Sequence, residues 1–210
     1  MSIHPIATVA GVPVPPGVLD AAEARLRAAR GPAARGPAAL PVSGTSEGRQ
    51  LRRWLTQLIV TGRVVAAEAE ARGLSARGAP SEAELLPDVT ARLEIGSVAA
   101  AVLADPRARA LFADVTASVR VADTEVAGYH DRNPLRFAAP QQIEHGWRTT
   151  ALAAPPLDEV RSAIEEHLRG AARRRTFRLW LDARRAALVE LAPGYEHPGD
   201  PRQPDNTHRH

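Results

Sequence analysis

The chain has 210 residues and a mass of 22.4 kDa, which suits one domain of ordinary size. It contains no cysteine and no lysine, so disulfide bonds, thiolate chemistry, Schiff-base lysines and P-loop lysines are all excluded. The net charge is +3, and all 27 basic residues are arginine. Only 4% of the residues are aromatic against 44% that are hydrophobic. Alanine, leucine and valine must therefore form most of the core, which favours close-packed helices.

The N-terminal stretch MSIHPIATVAGVPVPPG has neither the basic region nor the apolar region of a signal peptide. No apolar run approaches the roughly 20 residues that a membrane span needs. We therefore expect a cytoplasmic protein with no membrane partner.

The N-terminal segment predicts a hairpin followed by a helix. Residues 6–14 have the pattern of two short strands about a tight turn at Ala10 and Gly11. The prolines in and after the second strand confine it to a sheet edge. A helix is expected from about Val18 to Arg30. The segment 31–45 repeats Gly-Pro-Ala-Ala and is typical of a flexible linker.

The longest predicted helix runs from Ser46 to Leu74, with Ser46 as its N-cap and Gly73 at its end. Apolar residues recur on one face at helical spacing. They are Leu51, Trp54, Leu55, Leu58, Ile59, Val65 and Ala69. The opposite face is predicted to be solvated. It carries Arg49, Arg53, Gln57, Glu68 and Arg72. Other segments must then pack around this helix.

The middle of the chain predicts a loop over 75–87 and three further helices. One helix is expected over 88–104, with Val89, Leu93, Val98 and Leu103 along it. The next begins at Asp105 and Pro106, an N-cap followed by proline at the first helical position, and ends near Ser118. A short helix begins at Asp123 over TEVAGYHDRN.

The C-terminal part predicts one long helix, a strand and a tail. Residues 138–156 have no clear periodicity, and a helix follows from about Asp158 to Arg185. Residues Ala187 to Leu191 are strand-like. The sequence thus divides into a helical domain over 1–193 and a polar tail rich in histidine and proline over 194–210.

Segments in this order resemble the helical chaperone module of the SurA, PrsA and trigger-factor-like foldases. The resemblance covers about residues 6–192 and rests on IATVAGVPV, LRRWLTQLIVTGRVVAAEAEARGL, VADTEVAGYHDRNPLRF and the closing amphipathic helix. Tyr129, Asn133 and Phe137 match the family signature YY-x-x-N-x-x-x-F, and His130 stands at its second aromatic position.

The resemblance implies a mostly α fold of the SurA type, with a small antiparallel sheet in which the N-terminal and C-terminal strands pair. It implies chaperone-like binding of unfolded or extended polypeptide, in a groove between the long helix and the helices at 88–118. Tyr129, Asn133 and Phe137 are the binding candidates, together with Trp147 and Arg148 from the loop at 138–156. That loop is too short for the family's parvulin domain of roughly 90 residues, so prolyl isomerase activity is not expected.

A small metabolic enzyme that reuses this scaffold is the alternative, with a small-molecule substrate at a site built by the tail and the loop at 138–156. His130 and His145 are its catalytic candidates because imidazole transfers protons near neutral pH. His197, His208 and His210 are candidate metal ligands, since imidazole beside carboxylate suits a divalent transition metal.

Two other patterns have a simpler interpretation. Residues 44–48 match G-x-S-x-G, the nucleophile elbow, but no strand–helix series surrounds them, and we interpret them as a helix cap. An arginine run could contact phosphates, yet it alternates with apolar residues and fits a solvated helix face. The run comprises Arg169, Arg173, Arg174, Arg175, Arg178, Arg184 and Arg185. Nucleic acid is therefore not expected as a partner.

Overall fold

The computed structural model describes residues 4–30, 40–138 and 154–200, and over these the chain forms eight helices and three short strands. In chain order these are β1 (Ala7–Val9), β2 (Val12–Val14), α1 (Pro16–Arg30), α2 (Ser46–Ala71), α3 (Glu82–Leu85), α4 (Val89–Ile95), α5 (Ser97–Val102), α6 (Pro106–Val115), α7 (Asp123–Arg132), α8 (Leu157–Leu188) and β3 (Val189–Leu191). The predicted mostly helical fold with a small antiparallel sheet is confirmed. None of the described helices is both long and apolar enough to cross a membrane.

The sheet joins the two ends of the fold in the order β2-β1-β3, with both pairings antiparallel. Thr8 of β1 lies opposite Pro13 on one side and Glu190 on the other. Ala10 and Gly11 both have positive φ, 48° and 77°, as the twist of a two-residue hairpin requires. The predicted turn and the predicted pairing of the terminal strands are thus confirmed. The last strand is shorter than predicted because α8 continues to Leu188.

The long helix α2 has well-defined caps at both ends. Thr45, rather than the predicted Ser46, is its N-cap, and the Thr45 hydroxyl accepts a hydrogen bond from the backbone N–H of Gly48 at 3.1 Å. At the C-terminus Gly73 has a φ of 65°, and the backbone N–H of Leu74 donates to the carbonyl of Ala69 at 2.8 Å. This pattern is the Schellman motif, which confirms the predicted role of Gly73.

The solvated face predicted for α2 is wrong at three positions. Arg53, Gln57 and Glu68 are all buried. Periodicity assigns polar residues to water, but here distant segments supply hydrogen-bond partners for all three side chains. The helix is consequently surrounded on most sides, with Val60 and Val64 fully buried among them.

The single helix predicted over 88–104 is two helices, α4 and α5, separated at Gly96. Gly96 has a φ of 88° and a ψ of 149°, far from helical values, so the chain turns there. On α4 the buried residues are Ala91 and Ile95, whereas Val89 and Leu93 are 72% and 75% exposed. Val89 and Leu93 therefore do not belong to the core.

The predicted loop at 75–87 also contains a turn of helix, α3. Ser81 and Glu84 form a capping box, in which the Ser81 hydroxyl accepts from the Glu84 backbone and the Glu84 carboxylate from the Ser81 backbone. This short helix has one buried residue, Leu85. It places residues 80–88 alongside α8.

Helix α8 spans two apolar clusters. Its C-terminal half joins the main core, where the ring centroids of Phe112 and Phe177 lie 5.0 Å apart. Its N-terminal half packs Val160 and Ile164 against Val126 of α7 in a second cluster. The middle of α8 therefore lies between the two clusters.

Candidate functional site

A cleft of about 640 Å³ lies between α3–α4 and the middle of α8. On the α8 side its walls are Ala163, Glu166, His167, Arg169, Gly170, Arg173 and Arg174. On the other side they are Pro80, Ala83, Glu84, Leu85, Pro87, Asp88, Thr90, Ala91 and Glu94, with Arg136 from the segment after α7. The α8 residues recur mainly at spacings of three and four, so one helical face follows the cleft.

Arg174 links α8 to the opposite wall of the cleft. Its Nε donates to Glu94 Oε2 at 2.8 Å and its Nη1 to the carbonyl of Leu85 at 3.3 Å, and the side chain is buried. Arg178 adds a bond from Nη1 to the Glu94 carbonyl at 3.1 Å. These contacts set the distance between α4 and α8 at this end.

The interpretation of the arginine run as a solvated face is therefore wrong for part of it. Besides Arg174, Arg184 donates from its Nε to Glu68 at 2.7 Å, and Arg185 donates to Gln57. Burial lowers the pKa of Arg185 below its ordinary value, although Asp182 opposes this. In α8 these arginines hold the helix against α2 and α4. Periodicity could not reveal this because their partners lie about 80 to 130 residues away.

Arg173 has a different environment from Arg174. Its Nε donates to the hydroxyl of Thr116 at 2.8 Å, and its guanidinium lies 5.2 Å from the centroid of the Phe112 ring. Burial, together with the nearby positive charge of Arg169, lowers the pKa of Arg173. The side chain is thus fixed by a hydrogen bond and a ring contact rather than by a carboxylate.

The residues of the family signature, Tyr129, Asn133 and Phe137, lie next to the cleft and around His167. The Tyr129 hydroxyl and His167 Nε2 are 3.3 Å apart and hydrogen-bonded, and their ring centroids are 5.4 Å apart. Phe137 meets both rings edge-on, at 6.3 Å from Tyr129 and 6.0 Å from His167. Asn133 donates from Nδ2 to the Tyr129 carbonyl at 2.9 Å. The sequence signature therefore corresponds to a single local cluster.

Of the five histidines predicted as site residues, the described residues include two, His130 and His197. His130 lies beside this cluster, with Nε2 bonded to the carbonyl of Pro155 at 2.9 Å. His197 is exposed, and its Nδ1 accepts from the backbone N–H of Gly199 at 3.0 Å. The other predicted residues, His145, Trp147, Arg148, His208 and His210, lie outside the described residues. Over the ranges that are described, no three His, Asp or Glu side chains come close enough to hold a metal ion.

The groove predicted between the long helix and the helices at 88–118 is mostly filled. Helix α2 packs directly on α5 and α6, and a depression of about 300 Å³ remains there. Its lining is largely small and apolar, with Gly62, Val65, Ala66, Ala101, Val102 and Ala104 among its members. The cleft along α8 is about twice as large and far more polar, which makes it the better candidate.

No residue that lines the cleft was among the predicted site residues, and those missed include Arg136, His167, Gly170 and Arg173. A signal for three of them was present in α8, where a glycine stands among polar residues in the interior of a long helix. Glycine costs about 1 kcal/mol there relative to alanine. A Cβ at Gly170 would lie 3.2 Å from Arg174 Nη1, so this glycine leaves room for the buried guanidinium of Arg174.

A comparison with protein families, curated proteins and solved structures finds no match for the chain. The resemblance to the foldase chaperone module therefore stays a prediction from the sequence. The function has to be inferred from the geometry of the cleft.

Proposed function

We propose that the protein binds an extended segment of unfolded polypeptide in the cleft between α3–α4 and α8, without prolyl isomerase activity. The observation that carries this proposal is an open cleft of about 640 Å³ that follows one face of α8 from Ala163 to Arg174. At 1.5 Å per residue that stretch is about 16 Å long. An extended chain covers the same length in about five residues.

The lining of the cleft supports a polypeptide ligand rather than a compact small molecule. Its walls combine apolar side chains such as Pro80, Ala83 and Leu85 with charges of both signs. Small-molecule pockets are usually enclosed and mostly apolar. A polypeptide instead presents amides, apolar side chains and charges along its length, which matches a long, open and mixed surface.

Peptide binding tests the proposal directly. Fluorescence anisotropy with a library of labelled unstructured peptides is expected to find binders in the micromolar range, about 8 kcal/mol. Ala163 is exposed at the cleft, so Ala163→Trp should obstruct it and weaken binding by at least about tenfold. Ser162 is exposed but does not line the cleft, so Ser162→Trp is the matched control. Equal affinities for the two variants, or no binder in the library, would overturn the proposal.

The hydrogen bond between Tyr129 and His167 favours a second candidate, an enzyme that uses the same scaffold. His167 lines the cleft, and an imidazole that is hydrogen-bonded to a phenol is a residue type used in general acid–base chemistry. Incubation with a mixture of metabolites, followed by mass spectrometry, tests this candidate. A compound consumed by the wild type and not by His167→Gln supports the enzyme, and consumption of none contradicts it.

A further inference from the structure

We propose that the polypeptide bound in the cleft carries a carboxylate, either an acidic side chain or the C-terminal group, and that Arg173 and Arg136 bind it. This inference rests on the proposed function. It adds a specificity, namely a preference for acidic or C-terminal segments, to the binding of extended chain.

Of the four arginines that line the cleft, two form ion pairs within the described part of the structure and two do not. Among the described residues, Arg169 forms an ion pair with Glu165, and Arg174 forms one with Glu94. Arg136 and Arg173 have no carboxylate partner in the same part of the structure. Two positive charges thus remain at the cleft for an anionic ligand.

Arg173 is preorganised to receive such a ligand. Thr116 donates its own hydroxyl proton to the Phe112 carbonyl at 2.7 Å, which leaves its oxygen to accept from Arg173 Nε. The Phe112 ring supports the face of the guanidinium. No described residue accepts a hydrogen bond from Nη1 or Nη2 of Arg173, and these are the nitrogens that can bind a carboxylate with two parallel bonds. Little conformational entropy is then lost when a carboxylate binds.

The carboxylates that line the cleft already have hydrogen-bond partners among the described residues, with one exception. The carboxylates of Glu84 and Asp88 accept hydrogen bonds from the backbone N–H groups of Ser81 and Ala91, and Glu94 is paired with Arg174. These hydrogen bonds fix the three carboxylates in helix caps and an ion pair, and none of the three forms an ion pair with Arg173. Glu166 is the acidic residue of the cleft that has no such partner over the described ranges, and it is exposed to solvent.

Arg136 completes the site from the other side. It belongs to the segment between α7 and Phe137, and its side chain is exposed. An exposed cation contributes little to binding at physiological salt, so Arg173 is expected to provide most of the affinity. Arg136 is expected to add attraction that weakens with ionic strength.

One binding peptide, prepared in four versions, tests the inference. The versions combine a single internal Glu or Gln with a free or an amidated C-terminus, and each is measured by fluorescence anisotropy. The version that lacks both carboxylates should bind about tenfold more weakly, or about 1.4 kcal/mol. Comparison of the two single replacements assigns the effect to the side chain or to the C-terminal group.

Variants of the protein test which arginine binds the carboxylate. Arg173→Gln should lose most of the preference for the versions with a carboxylate, whereas Arg175→Gln, at an exposed position away from the cleft, should keep it in full. If Arg173→Gln does not fold, as judged by its melting curve, Arg136→Gln should still reduce the preference at low salt. Competition by inorganic phosphate as strong as that by acetate would show a general anion site and overturn the assignment to a carboxylate.

The results separate the two proposals. If all four versions bind the wild type equally while Ala163→Trp still weakens them, the carboxylate inference is wrong and peptide binding in the cleft stands. If Ala163→Trp leaves every affinity unchanged, the cleft is not the binding site and both proposals fail.

Discussion

Arg53 Nε donates a hydrogen bond to the carbonyl oxygen of Gly194, 3.1 Å away, and so ties the first half of α2 to the chain beyond β3. One turn further along α2, Gln57 Nε2 donates to the carbonyl of Tyr195 at 3.2 Å. The Tyr195 side chain packs against the main core. Two buried polar side chains of α2 therefore hold residues that the sequence assigns to a tail.

Removing the Arg53 bond should loosen this C-terminal segment. Arg53→Met keeps the apolar stem and removes the donor, and we expect it to lower the free energy of unfolding by about 1–3 kcal/mol. Urea denaturation measures the loss, and limited proteolysis should detect faster cleavage after Leu191. Arg175→Met, on an exposed face of α8, is the control and should stay within about 0.5 kcal/mol of the wild type. Unchanged stability and cleavage in Arg53→Met would show that the bond does not anchor the segment.

Replacement by valine should have opposite effects on the free energy of unfolding at two buried threonines of α2. Both are fully buried, but the Thr56 hydroxyl donates to the Arg52 carbonyl at 2.9 Å, whereas the Thr61 hydroxyl has no partner among the described residues. Thr61→Val should raise the free energy of unfolding by about 1 kcal/mol, since an unsatisfied buried polar group is removed. Thr56→Val should lower it by about 0.5–1 kcal/mol. Chemical denaturation that gives the same change for both variants would contradict this account.

Replacement by alanine should also have opposite effects on stability at two glycines of α2. A Cβ at Gly48 would lie 2.2 Å from the carbonyl oxygen of Val42, so the linker backbone leaves no space for a side chain there. A Cβ at Gly62 would meet no atom within 4 Å. Gly48→Ala should destabilise the protein by about 1–3 kcal/mol. Gly62→Ala should stabilise it by up to about 1 kcal/mol through helix propensity. Thermal melts that rank the two variants in the reverse order would be inconsistent with this packing.

The cluster around Glu23 predicts a loss of stability in acid. Burial alone would raise the pKa of Glu23, but hydrogen bonds from Arg27, Arg52 and Ser43 outweigh it and hold this pKa below its ordinary value. A carboxyl with a lowered pKa in the folded state stabilises the protein above the unfolded-state pKa, about 4.3. This contribution is lost as the pH falls through the lower folded-state pKa.

The measurement is urea denaturation between pH 7 and pH 3 for the wild type and for Glu23→Gln. The wild type should be the more stable at pH 7, and the difference between the two should shrink as the pH falls below about 4.3. Glu70→Gln, at an exposed position of α2, is the control and should follow the wild-type curve. A difference that is constant over the whole range would exclude the proposed linkage.

Most of the long helices and several of their ends could be predicted because their signals are local. Asp105 with Pro106, and Gly73 after the last turn of α2, act within a few residues of their own positions. The pairing of the terminal strands was predicted through the resemblance rather than from these signals. The break at Gly96 was not predicted, although glycine permits the φ of 88° that ends α4.

The buried polar network and the cleft could not be predicted in this way. Arg53, Gln57 and Arg174 carry the sequence signal of solvated residues, and only the fold supplies their partners from 80 or more residues away. The cleft combines residues 80–94 with Arg136 and the middle of α8, three segments that no short motif connects. Polar residues at helical spacing in α8 fitted a solvated helix face, and nothing in that pattern identified a cleft or its opposite wall.

Site-specific photo-crosslinking can locate a bound polypeptide at the cleft. A photoreactive phenylalanine derivative replaces Ala163 in the cleft or, as the control, Arg175 on an exposed face of α8. Each protein is irradiated with a permanently unfolded, carboxymethylated polypeptide and with the folded form of that same polypeptide. The account predicts cross-links from position 163 to the unfolded polypeptide only, and few from position 175. Equal cross-linking from both positions, or none from position 163, would contradict it.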